Sequence, residues 1–168
     1  MFKKLLIAVL VAVPMCLQAQ TLKFGVVNPV EIFNVMPDVV TANNTLQQVQ
    51  ERYEAQAKPL QEELQKKQSE YQALAGNSST PQATLEAKQK ELEDLYNRYQ
   101  TFAQTAENDL RQQQETLFAP IQQKLMNAIT AVGAEGGYTA IIDASTLLYR
   151  GNNMEDVSAK VKAKLGIQ

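Results

Sequence analysis

The 168-residue sequence contains no histidine and no tryptophan, and its only cysteine is Cys16. Histidine and cysteine supply the commonest general base, the thiol nucleophile and many metal ligands of enzymes. Their scarcity argues against an enzyme, and we expect no cofactor and no metal site. Glycine is also sparse, and its densest stretch, GAEGG, follows a predicted helix instead of opening one. It therefore lacks the arrangement of a phosphate-binding loop.

Basic residues are not in excess. The chain has 16 Lys and Arg against 18 Asp and Glu. Lys3 and Lys4 belong to a segment that we expect to be removed, and without them the count is 14 against 18, a net charge of −4. A protein that binds nucleic acid needs a basic face. The sequence therefore predicts no nucleic-acid partner.

Residues 1–19, MFKKLLIAVLVAVPMCLQA, have the pattern of a secretory signal peptide. The two lysines precede an apolar stretch, Leu5–Val13, that is too short to span a bilayer well, and Ala19 is the small residue expected before cleavage. A lipoprotein would use Cys16 as its lipidated residue, but the preceding VPM lacks the small residue that such a site needs. The mature chain would begin at Gln20 without any cysteine for a disulfide, so its fold must rest on packing or on assembly.

Two long helices are predicted in the middle of the chain. From Val39 to Ala75 the sequence has no glycine and a single proline, and one set of apolar residues recurs every eleven positions, as in a nearly straight helix. Gly76 is expected to end this helix, and Thr80 to cap a second one that starts at Pro81 and runs to about residue 132. Two rows of residues seven apart predict a coiled-coil seam on the second helix: Leu92, Tyr99 and Ala106, and Tyr96, Ala103, Leu110 and Leu117.

A sharp turn between two such helices makes an antiparallel hairpin, roughly 55 Å long at 1.5 Å per residue. We assign residues 39–117 to this arm, with its tip at 76–81. Residues 20–38 and 118–168 form a β-containing body.

Two prolines can be placed on this hairpin. Folding it about the tip sets Pro59 opposite Arg98, where the proline would bend the arm. The same folding sets Pro120 opposite Pro37, where the arm would meet the body.

The body is predicted to contain three short strands and two small helices. Asn28 can cap the first of these helices, because Glu31 follows it by three residues. The predicted strands are Thr21–Val27, Tyr138–Ile142 and Thr146–Tyr149, with a turn at Asp143–Ser145, and the helices are Pro29–Asn34 and Met154–Leu165. The expected fold class is α+β, mostly α: a small β-rich body that carries a long antiparallel helical hairpin.

Asp143 is the one acid in an apolar strand setting, AIIDAS. It could be a buried catalytic carboxylate, which replacement by asparagine would test. Such an aspartate more commonly ends a strand and caps the following turn through its side chain. We favour the capping interpretation, and we interpret Glu62–Glu63 and Glu93–Asp94 as solvated coiled-coil faces instead of paired catalytic acids.

A body this small buries little surface, and a single copy without disulfides would be marginally stable. We therefore expect a closed cyclic oligomer from which several arms project. The candidates for its hub are six apolar residues of the predicted strands: Val26, Val27, Ile141, Ile142, Leu147 and Leu148.

The predicted arms are acidic, with 8 basic and 12 acidic residues between Asn43 and Leu117. They also carry large apolar side chains, more than a two-helix seam can hide. Seam packing explains most of these; the functional interpretation is that some face a space between arms and touch apolar segments of another chain. The candidates for that face are Tyr71, Leu74, Leu95, Tyr96, Tyr99 and Phe102.

Almost the whole mature sequence resembles the Skp/OmpH family of periplasmic chaperones for outer-membrane proteins. LKFGVVNPVEIFNVMP resembles the opening strand and short helix of that family. YTAIIDASTLLYRGNNMEDVSAKVKAKL resembles its closing hairpin and helix, most specifically in IIDAS and LLY. The central coiled coil is similar in length and pattern.

The resemblance implies a homotrimer with a β-barrel-like hub, whose three hairpins enclose a cavity. It implies a protein that holds unfolded outer-membrane β-barrel proteins in the periplasm without ATP. Well-known members of the family have basic arms, whereas here the arms are acidic and the tip, GNSSTP, is uncharged. The acidic arms argue against contact with lipopolysaccharide or membrane, and we expect a client held by apolar contact with weaker dependence on salt.

A protein of another class would use the same helices. A structural or adaptor coiled coil of the cell envelope would bind one folded partner, whereas a holdase protects several unrelated unfolded barrels. Selectivity therefore separates the two hypotheses.

Overall fold

A computed structural model describes residues 22–167 of the chain. The predicted signal peptide lies outside these residues. The elements in chain order are β1 (Phe24–Val27), α1 (Pro29–Val35), α2 (Pro37–Ala75), α3 (Gln82–Glu135), β2 (Ala140–Asp143), β3 (Glu155–Asp156) and α4 (Ser158–Leu165), with one turn of 3₁₀ helix at Ala144–Thr146. The predicted α+β, mostly α fold is confirmed. Within the described part of the chain, no helix combines the length and apolarity that a membrane crossing requires.

The three strands form one parallel sheet in the order β2-β1-β3. In its register Val26 of the central strand lies beside Ile142 of β2 on one side and beside Asp156 of β3 on the other. Gly25 is needed at the centre, because a Cβ atom there would stand 3.1 Å from the Val157 side chain and 3.2 Å from the Tyr138 ring. The N-terminal strand is therefore held between two segments from the C-terminal end of the chain.

The predicted strand at Thr146–Tyr149 and the closing hairpin are wrong. Parallel neighbours cannot be joined by a tight turn, and both β2 and β3 run parallel to β1. Residues 144–154 instead form a crossover that begins with the 3₁₀ turn. The third strand lies at Glu155–Asp156, inside the helix predicted at Met154–Leu165, which therefore starts at Ser158.

The core of the body is built from both ends of the chain. It joins β1, α1 and the first turns of α2 to the last turns of α3 and to α4. Its buried residues are Val27, Ile32, Met36, Val39, Ala42, Ile121, Leu125, Ala128, Val132, Val157 and Val161. The Asn28 side chain accepts a hydrogen bond from the Glu31 N–H at 3.1 Å, which confirms the predicted cap of α1.

The predicted antiparallel hairpin is confirmed, with α2 of 39 residues and α3 of 54 residues. At 1.5 Å per residue these lengths are roughly 58 and 81 Å. The two helices touch along the whole arm. Since α3 is the longer helix and its last turns lie in the core of the body, it belongs to both the arm and the body. It ends at Glu135, three residues beyond the predicted end.

The tip of the hairpin differs in detail from the prediction. Gly76 ends α2 in a right-handed conformation, with φ −74°, so its freedom to adopt positive φ is not used. Thr80 does not cap α3, because its hydroxyl donates back to the Leu74 carbonyl at 2.8 Å. The N-cap is Pro81, and α3 begins at Gln82.

Side-chain contacts between α2 and α3 hold the two helices side by side along the arm. The Gln61 side chain donates to the Tyr99 hydroxyl, and the Tyr53 ring packs on Phe102. These contacts lie on either side of Pro59, which is exposed within α2. Near the body, the Asp38–Lys124 ion pair at 2.6 Å also joins the two helices.

Candidate functional site

Two shallow grooves lie along one face of the hairpin. The distal groove, of about 620 Å³, is lined by Leu64, Gln68, Tyr71, Gln72, Leu92, Glu93 and Tyr96. The middle groove, of about 270 Å³, is lined by Gln50, Tyr53, Glu54, Ala57, Tyr99, Phe102, Ala103, Ala106 and Leu110. Both are open to solvent and have mainly apolar walls, so they can accept side chains of another chain without enclosing it.

Tyr96 and Tyr71 are the aromatic residues of the distal groove. Tyr96 is 52% exposed, and its hydroxyl accepts a hydrogen bond from the Gln100 side chain one turn along α3, at 2.8 Å. That bond ties the Tyr96 hydroxyl to its own helix, while about half of the side chain stays in solvent. Tyr71 is half-buried on the facing helix. The pair therefore offers aromatic surface and a polar rim at one place.

In the middle groove the aromatic rings are fixed by contacts between the two helices. Phe102 packs edge-on against Tyr53, with ring centroids 5.9 Å apart. The Tyr53 hydroxyl donates to Asp109 at 2.8 Å, and this hydrogen bond raises the pKa of Tyr53 above its usual value. The Tyr99 hydroxyl accepts from Gln61 at 2.8 Å. These rings are positioned before any ligand arrives.

The other two candidates of the predicted arm face are placed differently. Leu95 is 5% exposed and lies in the seam between α2 and α3, so the closed hairpin does not present it. Neither predicted seam row included Leu95, whereas Tyr96 and Ala103 of the second row are exposed. Leu74 is half-buried close to the tip and lines neither groove. The structure thus brings together four of the six residues: Tyr71, Tyr96, Tyr99 and Phe102.

Hydrogen bonds between neutral glutamines and glutamates, instead of ion pairs with lysine or arginine, stabilise much of the arm surface. Glutamine side chains donate to glutamates four residues later, at 2.8–3.3 Å, in four places: Gln47–Glu51, Gln50–Glu54, Gln82–Glu86 and Gln89–Glu93. Such pairs support exposed helix by a few tenths of a kcal/mol, about 0.2–0.5 each. They account for part of the glutamine abundance and leave the arms acidic.

One carboxylate ties the distal parts of the two helices together. Glu91 on α3 lies 3.1 Å from the Lys67 ammonium on α2 and 2.9 Å from that of Lys88. Hydrogen bonds from Lys88 and Lys67 lower the pKa of the Glu91 carboxyl, and Glu91 raises the pKa of Lys67. The ion pairs are exposed, so they set register more than stability.

The six hub candidates occupy three different environments. Val26 and Val27 are buried inside the body of a single chain. Ile141, Ile142 and Leu147 are half-buried, and Leu148 is fully exposed beside the exposed Tyr149. Only the second and third groups can reach another copy directly, so the part played by the two valines in a hub would be indirect.

Asp143 has a structural partner in the described chain. Its carboxylate accepts from the Ser145 N–H at 2.9 Å and from the Ser145 hydroxyl at 2.7 Å. These bonds start the 3₁₀ turn after β2, as the capping interpretation expects. Among the described residues there is no group of three or more acidic or sulfur side chains that could hold a metal ion.

A further groove at the base of the arm was missed by sequence reasoning. Phe33 from α1 and Phe118 from α3 meet there, with ring centroids 5.9 Å apart, beside Val39. A signal for it exists on α3, because groove-lining residues recur every three or four positions from Tyr99 to Gln122. The contribution of α1 could not be found that way.

Comparison with known proteins agrees with this architecture. The family model described as outer membrane protein (OmpH-like) matches residues 23–165. The chaperone protein Skp of Yersinia enterocolitica is 28% identical over 145 residues, covering 84% of this chain and 85% of that protein. The Skp chaperone of Pectobacterium atrosepticum is 29% identical over 140 residues, covering 83% and 82%.

A solved structure supports the fold. The crystal structure of an OmpH-like outer membrane chaperone from Caulobacter crescentus superposes with a TM-score of 0.70 at 14% identity, covering 86% of this chain and 83% of that one. Members of the matched family are chaperones and not enzymes. Because the family model spans nearly all of the described residues, the chain belongs to the OmpH-like family.

Proposed function

We propose that this protein is an ATP-independent holdase of the periplasm that binds unfolded outer-membrane β-barrel proteins between the arms of a homotrimer. A cleaved signal peptide at residues 1–19 would deliver it there. The observation that carries the proposal is the line of preformed aromatic grooves along one face of a long, projecting hairpin. Names of the relatives, which are Skp chaperones, point to the same role.

The grooves suit a client that must be released. They are shallow and open, and their tyrosines combine apolar area with a hydroxyl that stays hydrogen-bonded. An unfolded barrel protein presents short apolar segments in many registers, and a series of weak sites on several arms would hold them by multivalency. No single contact then needs to be strong.

The assembly would be held through the body. The half-buried Ile141 and Ile142 lie on β2, at one edge of the sheet, and the crossover exposes Leu148. An edge strand and an exposed leucine are both surfaces that association would cover. These residues, with Leu147, are the proposed contacts between copies.

The test is the aggregation of a urea-unfolded outer-membrane barrel protein on dilution, with and without the mature chain, at low and high salt. We expect suppression at a fixed ratio of oligomer to client, without ATP and with little salt dependence. A Tyr96→Ser, Tyr99→Ser double variant should suppress less. A Gln56→Ser variant, changed at an exposed arm position outside the grooves, should match the wild type.

The outcome also decides between the two classes of protein. Failure to suppress aggregation of several unrelated barrels, with the oligomer verified intact, would reject the holdase proposal. Binding to one folded envelope protein under those conditions would instead support the adaptor hypothesis.

A further inference from the structure

A third groove starts at the base of the arm and continues the two described above. Its lower part, of about 650 Å³, has Phe33, Val39 and Phe118 as its floor. Its upper part, of about 400 Å³, lies between Leu46 and Leu110. The two parts share lining residues, so we treat them as one proximal groove, which joins the middle groove at Leu110.

The joined proximal and middle grooves are the right length for an extended segment. On α3 they run from Tyr99 to Gln122, a distance of roughly 35 Å at 1.5 Å per residue. An extended chain rises about 3.3 Å per residue. The groove therefore matches about ten residues of β-like polypeptide, the length of one barrel strand.

The rim of the proximal groove has free amide side chains. Asn43, Gln114 and Gln122 are exposed on it, and within residues 22–167 none of them is engaged in a side-chain hydrogen bond. Elsewhere on the arms, glutamines such as Gln47 and Gln89 are paired with a glutamate. A carboxamide both donates and accepts, so the rim can bond to backbone N–H or C=O groups of any sequence.

The charges that line these two grooves are mainly negative. Glu54, Glu107 and Glu115 line the two grooves, and among the described residues Arg111 is the one basic residue that lines them; its guanidinium already pairs with Glu107 at 3.2 Å. No lysine lines either groove in the described part of the chain. An acidic rim attracts basic segments and disfavours acidic ones. It would also repel the same groove of a second copy, which makes a second copy the less suitable occupant.

From these observations we infer that the proximal groove binds an extended, unfolded segment of a client, with apolar side chains on the phenylalanine floor and basic or uncharged residues toward the rim. The inference rests on the proposed holdase function and gives it a location and a charge preference. The occupant is thus a cationic or neutral amphipathic strand, not an acidic one.

The test uses two fluorescein-labelled ten-residue peptides in which leucine alternates with threonine. One peptide carries two lysines and the other two glutamates at threonine positions. Fluorescence anisotropy with the mature, assembled protein at low salt should show at least threefold tighter binding of the lysine peptide. Equal binding of the two peptides, or tighter binding of the glutamate peptide, would overturn the charge preference.

A matched pair of variants tests the location. Ala119 is exposed and lines the groove beside Phe118, whereas Ala87 is exposed on the same helix and lines none of the three grooves. Ala119→Arg should weaken binding of the lysine peptide about tenfold or more, and Ala87→Arg should leave it unchanged. Equal affinities for the two variants would overturn the site. A change of solution mass in Ala119→Arg alone would identify an interface between copies and would also overturn it.

Crosslinking gives an answer that does not depend on the arginine variant folding. A photoreactive benzoylphenylalanine replaces Gln122 in the groove, or Gln89 outside it. The lysine peptide should crosslink to the first protein and not to the second, and equal yields would reject the site. If the wild-type protein suppresses barrel aggregation but the paired variants and crosslinking positions do not differ, only the assignment of the groove is rejected. If the wild-type protein does not suppress aggregation, the holdase function itself is rejected.

Discussion

At the scale of single residues, Glu155 joins three separate segments of the body. Tyr138 and Lys160 donate to its two carboxylate oxygens, each at 2.5 Å, and the Lys23 ammonium lies 3.5 Å away. Lys23 also lies 4.0 Å from the centre of the Tyr138 ring. Hydrogen bonds from Lys160 and then Tyr138 lower the pKa of Glu155 from 4.5 to about 2.

This shift predicts how the stability of the body depends on pH. A carboxyl whose pKa is lower in the folded state stabilises the fold above its unfolded pKa and loses that effect as pH falls. Glu155→Gln should therefore lower the urea midpoint near pH 7, and its difference from wild type should shrink between pH 4.5 and about 2. Glu62→Gln on the arm controls for the loss of a charge. A difference that persists unchanged to pH 2 would contradict the assignment.

The Tyr53–Asp109 hydrogen bond gives a second prediction at this scale. Asp109→Asn removes the main cause of the raised Tyr53 pKa, so that pKa should fall toward its usual value. Because the pKa of folded Tyr53 is raised, its stabilising effect is present below about pH 10 and is lost as pH rises through the folded pKa. Tyrosinate absorbance during alkaline titration, with Tyr53→Phe subtracted, measures the shift. An unchanged titration would reject the bond.

At the scale of elements, adjacent residues on α3 serve different purposes. Leu95→Ala should lower stability by about 2 to 5 kcal/mol, because it removes a buried seam side chain. Tyr96→Ala should leave stability nearly unchanged but weaken suppression of barrel aggregation. Urea denaturation and the aggregation assay measure the two effects. If Tyr96→Ala destabilised the arm as much as Leu95→Ala, the ring would belong to the seam.

The long helices could be predicted from sequence because their signals are local. The proline at residue 81 and the glycine at 76 bracket the tip. The spacing of apolar residues correctly turns the row with Leu92 and Ala106 toward the partner helix, but it misses Leu95, which is buried. The third strand could not be predicted, because Glu155–Asp156 is two acidic residues long and is stabilised by pairing with Gly25 and Val26. Strand composition alone does not report a pairing across 130 residues of chain.

The residues predicted for client binding also divide into those that the sequence could indicate and those that it could not. Tyr71, Tyr96, Tyr99 and Phe102 could be chosen by asking which large apolar side chains a two-helix seam cannot cover. That criterion also selected Leu95, because neighbouring positions on a helix diverge by about 100° and the seam position depends on how the helices cross. The proximal groove required Phe33 of α1 to meet Phe118 of α3, a contact between segments 85 residues apart. No helical period contains that information.

At the scale of the whole molecule, the proposed oligomer gives a further prediction. Ile141→Asp and Leu148→Ser should each reduce the mass in solution toward that of one chain. Leu148 is fully exposed in a single chain, so its replacement cannot disturb the core of that chain. Tyr96→Ser, a change on the arm, should leave the mass unchanged. Light scattering measures all three, and unchanged masses for both body variants would reject these residues as contacts.

The parallel sheet has a consequence for the order in which the molecule folds. Phe24 of β1 pairs with Ala140 of β2, 116 residues later, and Gly25 with Glu155 of β3, so β1 has no strand partner until almost all of the chain is available. Closing so long a loop by random search is slow. Side-by-side association of α2 and α3 would bring its two ends together one contact at a time. The arm that is proposed to hold other unfolded chains would thus first assist the folding of its own chain, because it brings β2 and β3 close to β1.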